Sequence, residues 1–312
     1  MTGIPLVTGA TGFAGGHLVA RLLTNGGRVG AWSHHASSHP ESGGSVIWRA
    51  VDLLDRAAVR DALEATRPSV IYHCAGFADV HGAWRAPARA LRVNALGTHH
   101  LLQAVREAGL SSRVLVTGSA MVYRPAPDPM TEENPIGPIG PYAVSKLAQE
   151  MTAAASPVPV LLVRPFNHAG PGQSAAYATS AFAQQIAEIE AGRREPVLQV
   201  GNLEARRDIT DVRDTVRAYE LLAERGRTHL PYNVCSGHTR TMSELLDVLL
   251  SLSRVRVRVE VDASRLRPSD NPVITGSHGR LTRDTGWTPE IPIEQTLADL
   301  LDDWRVRVAQ SS

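Results

Sequence analysis

Three residues in this chain have the types and spacing to move a proton to or from an oxygen. They are Ser119 in "TGSAMVY", and Tyr142 and Lys146 in "PYAVSK". Residues four apart share one face of a helix. The lysine ammonium is therefore expected beside the phenol, where its charge favours the ionised form. Ser119 ends a β-type run and can hold a substrate oxygen next to that phenol. Together they make a general acid/base for interconverting a carbonyl and an alcohol. A Tyr and a Lys four apart also occur as a plain surface pair; the strand-end serine and a glycine loop upstream weigh for chemistry here.

That reaction needs a hydride carrier. Gly9, Gly12 and Gly15 stand three apart in "PLVTGATGFAGGHLVARLL", between an apolar run and a helix-like one. Glycine lets the backbone turn at positive φ and lets a ligand reach it without a Cβ in the way. The helix start that follows offers free N–H groups and a positive dipole end, which suit a pyrophosphate. G-x-x-G-x-x-G is not the G-x-G-x-x-G fingerprint, but its place at the first strand–helix junction supports a dinucleotide site. NAD sites usually carry an acid about 20 residues on, whereas Thr8 through Pro40 contain no Asp or Glu. Ser33 and His34, ending the second strand, suit a 2′-phosphate that a carboxylate would repel. NADP(H) is thus favoured, with NAD(H) as the alternative. Asp52 and Leu53 are placed to meet the adenine. The other expected cofactor contacts are Thr11, Phe13 and Ala14 in the loop, then Ala75, Gly76, Asn94, Thr117 and Pro165, with Tyr142 and Lys146 themselves.

The elements that must position these groups are legible as alternation. Strands are expected at Ile4–Gly9, Arg28–Ser33, Ser45–Leu53, Ser69–Gly76, Arg113–Ala120 and Pro159–Phe166, with helices between them, including Gly16–Leu23 and Ala88–Ala108. This pattern implies an α/β fold: a Rossmann-like, doubly wound parallel sheet, covered on both faces. Beyond Phe166 the rhythm changes. "NHAGPGQS" reads as loop and Ala178–Ala191 as helix; Thr241 and Glu244 form a capping-box pattern. "RVRVRVEVD" (Arg254–Asp262) alternates as a half-buried strand, its arginines reading as a solvated face rather than a nucleic-acid stripe. The expected division is a dinucleotide-binding domain over 1–166, to which the chain returns around 205–238, and a smaller mixed α/β C-terminal substrate lobe over 167–312.

Bulk composition excludes several classes. With 312 residues, 43% of them hydrophobic, the chain can bury one large core or two modest ones. Net charge is +1, from 32 basic and 31 acidic residues, so no global field attracts nucleic acid or an anionic membrane. Two cysteines, Cys74 and Cys235, fit a reducing compartment. The glycine segment begins almost at once, leaving no room for a signal peptide, and no apolar run approaches the ~20 residues of a bilayer span. A cytoplasmic protein is expected. His34-His35 and His99-His100 are adjacent pairs that point apart, and no Cys-x-x-Cys set is present, so no metal site is expected. His168 is worth testing because it lies in the loop of Asn167.

The glycine loop, Ser119, Tyr142 and Lys146 together resemble the short-chain dehydrogenase/reductase superfamily, in its extended, nucleotide-sugar-modifying branch. "RPFNHAGPGQS", "VGNLEARRDITDVRD", "YNVCSG", "LRPSDNP" and the tail "TGWTPEIPIEQTLADLLDDW" are similar to segments of GDP-6-deoxy-4-keto-D-mannose reductases and GDP-mannose 4,6-dehydratases, nearly end to end. The resemblance implies a GDP-linked sugar as substrate, with Asn167 at the sugar and phosphate. It implies Arg207 and Arg267 as pyrophosphate clamps, a role suited to guanidinium forks. Asp270 would reach the sugar or nucleoside, and the backbone around Val200, Asn202 and Leu203 would line the base. It also implies a homodimer through a four-helix contact, built from the region after Trp84 and the helix of Tyr142. The reading is a reductase carrying hydride from NADPH to C4 of a GDP-4-keto-6-deoxyhexose, giving GDP-D-rhamnose or its C4 epimer. Dehydratases of this branch carry an acid two positions after the Ser/Thr, where this chain has Met121, and a thioether cannot abstract a proton. "GSAMVY" is also similar to the "SATVY" of NAD-dependent sugar 4-epimerases. A GDP-mannose 4,6-dehydratase-like enzyme, such an epimerase, or a non-catalytic NADP sensor are the alternatives; sensors can dispense with the Tyr/Lys pair that this chain keeps.

Overall fold

Runs rich in Val, Ile and Leu form β1 (Pro5–Thr8), β2 (Val29–Ser33), β3 (Val46–Ala50), β4 (Val70–His73), β5 (Arg113–Thr117) and β6 (Val160–Pro165), in a computed structural model that describes residues 3–36, 44–265 and 272–311. Strands β7 (Asn167–Ala169), β8 (Val197–Val200) and β9 (Arg206–Asp211) follow, then β10 (Pro231–Val234), β11 (Thr239–Thr241), β12 (Arg258–Val261) and β13 (Val273–Ile274). Seven of these make one sheet, in the order β10-β6-β5-β4-β1-β2-β3. Every pairing in it is parallel. Adjacent residues face opposite cores: Leu6 packs with Ile71, Val114 and Val160 on one side, Val7 with Leu115 and Leu161 on the other. Both faces are covered, as an all-parallel sheet requires. The strand order reverses between β1 and β4, which opens a crevice at their carboxyl ends.

The covering helices are α1 (Phe13–Thr24), α2 (Arg56–Thr66), α3 (Val80–Arg85), α4 (Pro87–Leu91), α5 (Gly97–Glu107), α6 (Gly140–Ala154) and α8 (Val212–Arg225); α7 (Ala178–Glu190) belongs to the smaller lobe. α1 starts at Phe13 rather than Gly16, because Gly12 already begins the helical bonding by accepting from the Gly16 N–H at 2.8 Å. The helix expected over Ala88–Ala108 is interrupted by a π-helical turn, Arg92–Leu96, which turns Asn94 fully inward.

The smaller lobe packs α7, α9 (Met242–Ser251) and α11 (Ile293–Gln310) round Phe182, Ile186, Leu246, Leu297 and Leu301; α10 (Gly279–Thr285) packs on α8. Its sheets correct two sequence expectations. Asn167–Ala169, read as loop, is a strand, because β9 offers it a parallel ladder from Ile209 to Asp211. The strand expected over Arg254–Asp262 holds only at Arg258–Val261, because its partner β8 is itself four residues long. The capping box forms as expected: the Thr241 hydroxyl accepts from the Glu244 N–H, and the Glu244 carboxylate from the Thr241 N–H.

Candidate active site

The crevice floor is shaped by two close approaches. Gly9 sits at φ +67°, and a Cβ there would lie 2.7 Å from the Ala75 backbone. A Cβ on Gly15 would lie 2.1 Å from the Gly9 carbonyl oxygen, so α1 starts almost against the end of β1. Gly12 caps α1 without a side chain, and the first turn holds no acid. The free N–H groups of that turn therefore meet a cavity of about 690 Å³, lined by Gly9, Thr11 through Gly15, Ala75 and Gly76. Leu53 and Asp52 line it further along, as do Ser33 and His34. Ser33 is buried and donates to the His35 carbonyl at 2.8 Å; the Asp52 carboxylate accepts from the Leu54 N–H at 2.9 Å, capping a turn. A bare-backbone cradle, a helix start and no carboxylate at the end of β2 fit a phosphorylated dinucleotide. Asn94 is absent from the lining. Its amide instead takes the Phe77 N–H at 2.7 Å and donates to the Ser145 hydroxyl at 2.8 Å, tying the loop after β4 to α6.

At the other end the same cavity is lined by Thr117, Ser119, Tyr142, Lys146 and Pro165. Ser119 follows β5 and caps a short turn by accepting the Met121 N–H at 3.2 Å. Burial pushes the Tyr142 phenol up to about 12, the Ser119 hydroxyl bonded to it pulls down, and neighbouring Tyr177 pushes up again. Lys146 is buried, and burial lowers its ammonium to about 8. Its seat differs from the expected one. The Nζ donates to the Thr117 carbonyl at 2.8 Å and to Gln149 Oε1 at 2.9 Å, so two of its three protons are directed away from the phenol.

A second cavity, of about 1260 Å³, joins the first where Met121, Asn167, His168 and Tyr177 line both. Asn202 and Arg207 line this larger space. Arg207 Nη1 donates to the carbonyls of Arg206 and Pro272, at 2.8 and 3.2 Å, and burial lowers its pKa. Val200 points the other way, into the lobe core, and Leu203 packs against that core; Gln199 and Gly201, the neighbours of Val200, line the cavity. Arg267 and Asp270 lie outside the described residues. His168 stacks parallel to Phe13 at 5.6 Å, and His17, edge-on to Phe13, bonds the Pro171 carbonyl at 2.7 Å. The glycine-loop helix is thus clasped to β7 and the turn after it. Among the described residues no three His, Cys, Asp or Glu side chains gather as a metal site.

Sequence reasoning missed Arg89, Gln173 and Tyr177. Arg89 lines the first cavity, and the other two line both. Arg89 reads as an ordinary helix-surface cation, and "QSAAYATS" carries no motif; only the fold brings them to the junction.

The family model for GDP-mannose 4,6 dehydratase matches residues 6–300. The chain is 37% identical to the GDP-6-deoxy-D-mannose reductase of Pseudomonas aeruginosa, covering 99% of this chain and 100% of the relative. It is similar to the solved structure of RMD from Pseudomonas aeruginosa complexed with NADPH, with a TM-score of 0.85 and 35% identity over 98% of this chain and 100% of that one. It is also 26% identical to the UDP-glucose 4-epimerase of Bacillus subtilis, over 96% of this chain and 95% of the relative.

Proposed function

The chain belongs to the GDP-mannose 4,6 dehydratase family of extended short-chain dehydrogenases/reductases, and from that premise we propose that it is an NADPH-dependent reductase of a GDP-4-keto-6-deoxyhexose. The product is GDP-D-rhamnose or its C4 epimer. The observation that carries this reading is the place of Ser119 and Tyr142, beside the junction of a glycine-floored cavity and a larger one lined by Asn167 and Arg207. The glycine loop and Lys146 would hold NADPH between them, and the nucleotide would supply the hydride. Ser119 holds the C4 oxygen, and Tyr142 gives it a proton as negative charge develops there. The charge of Lys146 favours the phenolate left behind. Arg89, on the lining of the first cavity, adds a cation facing the dinucleotide. In this reading Arg207 and Arg267 clamp the pyrophosphate, the backbone around Asn202 lines the base, Asp270 reaches the sugar or the nucleoside, and Asn167 meets the sugar and phosphate.

Reduction is favoured over dehydration by Met121, which faces both cavities. Removal of water across C5 and C6 needs a base there, and the thioether is none. The test is incubation with GDP-4-keto-6-deoxymannose and either NADPH or NADH. Turnover is expected at the nicotinamide absorbance band, with NADPH at least about tenfold better than NADH in kcat/KM, because no carboxylate opposes a 2′-phosphate. NMR of the product then names the hexose. Interconversion of ordinary nucleotide sugars without net cofactor consumption points to a 4-epimerase instead.

The chain divides, in this reading, into a dinucleotide unit over 1–166 that includes the return at 205–238, and a sugar lobe in the rest. The enzyme works in the cytoplasm, where the free thiols Cys74 and Cys235 stay reduced. It pairs through α6 and the helices before it: Val144 and Met151, two turns apart on α6, are exposed, as are Leu91 and Leu96. Exposed apolar side chains on elements packed against one another suit such an interface. Sedimentation is expected to give a dimer, and Met151→Lys with Val144→Lys a monomer.

A further inference from the structure

Behind Lys146 runs a buried row of polar groups that the reaction itself does not use. Gln149 Oε1 accepts from Lys146 Nζ at 2.9 Å, and Gln149 Nε2 donates to the Thr98 hydroxyl at 3.0 Å. The Thr98 hydroxyl bonds His73 Nε2 at 2.9 Å, and His73 Nδ1 bonds the Thr8 hydroxyl at 2.8 Å. Thr8 also accepts the Ala75 N–H at 3.2 Å. Thr8, His73, Thr98 and Gln149 all have no exposed surface. The row crosses from α6 through α5 and β4 to β1, and ends beside Gly9 on the crevice floor.

We infer that Gln149, held from behind by Thr98 and His73, is the positioning residue for Lys146, fixing where its charge sits relative to the cavity. An ammonium can only donate, so the amide must turn its oxygen to Lys146 and its NH₂ to Thr98. Two of the three ammonium protons are taken by Gln149 and Thr117. The third lies on the cavity side: a Cβ on Gly76, which lines the cavity, would stand 3.5 Å from the Nζ. The amide therefore aims the remaining donor at whatever fills the cavity. It does so without a carboxylate, which leaves the ammonium's charge uncompensated and available.

The ionisable groups facing Lys146 are few. His73 at the end of β4 and Cys74 just after it interact with it electrostatically. Burial and the lysine charge lower His73 to about 3, and burial raises the Cys74 thiol to about 12. Both are therefore neutral at working pH. Tyr142 lies one turn back on α6. Glu150 is paired with Arg164 of β6, and α5 contributes the neutral Thr98. With no anion against it among the described residues and burial lowering it to about 8, Lys146 loses its proton within the working pH range. The amide at position 149 then sets the pH at which that happens.

This inference rests on the reductase reading, so the experiment carries one readout that needs no sugar. For the parent, Gln149→Leu, Gln149→Glu and Thr98→Val, NADPH affinity is followed from pH 6 to 10 by nicotinamide fluorescence. The kcat/KM for 4-keto sugar reduction is measured over the same range. In the parent both should fall as pH rises past about 8, where the charge is lost. Gln149→Glu places a carboxylate on the ammonium and should move that limb up by about one pH unit or more. Gln149→Leu removes an acceptor and should move it down, with kcat/KM at pH 7 lowered about tenfold. Thr98→Val should follow the leucine variant more weakly. A row that only fills the core would lower the melting temperature of all three variants without moving either limb. That result, or Leu and Glu variants shifting in the same direction, overturns the assignment. If Gln149→Leu does not fold, the glutamate variant decides alone, since its carboxylate keeps both the shape and the acceptor. Absent turnover in the parent with an intact affinity limb indicts the substrate and leaves Gln149 standing.

Discussion

Tyr142→Phe is expected to lower kcat for 4-keto reduction by about three orders of magnitude, or about 4 kcal/mol of barrier, while leaving NADPH affinity within a few-fold of the parent. The substitution removes one oxygen from a half-buried ring and leaves the ring's packing in place. What is lost is the proton donor. As hydride reaches C4, the carbonyl oxygen gathers negative charge, and a group within reach must protonate it. The Ser119 hydroxyl cannot substitute, because it is far too weak an acid to finish the transfer. Tyr177 lines the same junction, but it is the N-cap of α7, in the other lobe. Stopped-flow measurement at the nicotinamide band separates the two quantities, and unchanged quenching with turnover within tenfold of the parent would remove Tyr142 from the chemistry. Since burial holds the phenol near 12, the parent donor stays protonated throughout the neutral range. A fall in rate as pH rises past about 8 is therefore expected from Lys146 rather than from the phenol.

What could be read from sequence divides along a physical line. The crevice was legible because its requirements are local: glycines where the backbone must turn or approach, an apolar run before them, a helix start after. The nearness of Ser119 and the glycine loop followed from strand ends sharing one edge of a parallel sheet. The seat of Lys146 was not legible. Position on a helix face says which way a side chain leaves, and the amide and carbonyl that capture it come from tertiary packing. Val200, expected at the base through its backbone, turns its side chain to the lobe core. A strand turns alternate side chains to opposite faces, so Gln199 meets the cavity and Val200 the core. Strand lengths failed where a partner was needed to define them: alternation in "RVRVRVEVD" was real, but only four residues find a ladder. The break at Asn94 has the same origin, since its amide is held by the Phe77 backbone 17 residues away.

Gly15→Ala sets two effects of opposite sign against each other, and the geometry decides between them. Inside a helix, alanine is favoured over glycine by about 1 kcal/mol, so propensity alone predicts stabilisation. Yet the new Cβ would lie 2.1 Å from the Gly9 carbonyl oxygen and 2.9 Å from its carbon. Both are backbone atoms, so no rotamer change relieves the overlap. α1 must shift away from the end of β1, which costs more than the propensity gained, as overpacking at about 1–3 kcal/mol generally does. The Gly12 N–H bond to the Gly9 carbonyl, 2.9 Å long, strains with it, and the N–H groups of the first turn lose their aim. NADPH affinity is expected to fall about 100-fold, which is about 2.7 kcal/mol, with a lower melting temperature. The neighbouring Gly16 is the control. A Cβ there would meet nothing nearer than the Ala10 carbonyl oxygen, at 3.7 Å, an ordinary contact, so Gly16→Ala should bind NADPH like the parent and melt no lower. Fluorescence titration of the two variants side by side distinguishes a phosphate cradle from a merely tight turn. A cradle makes Gly15→Ala lose affinity well beyond its loss of stability, and a tight turn makes the two losses run together.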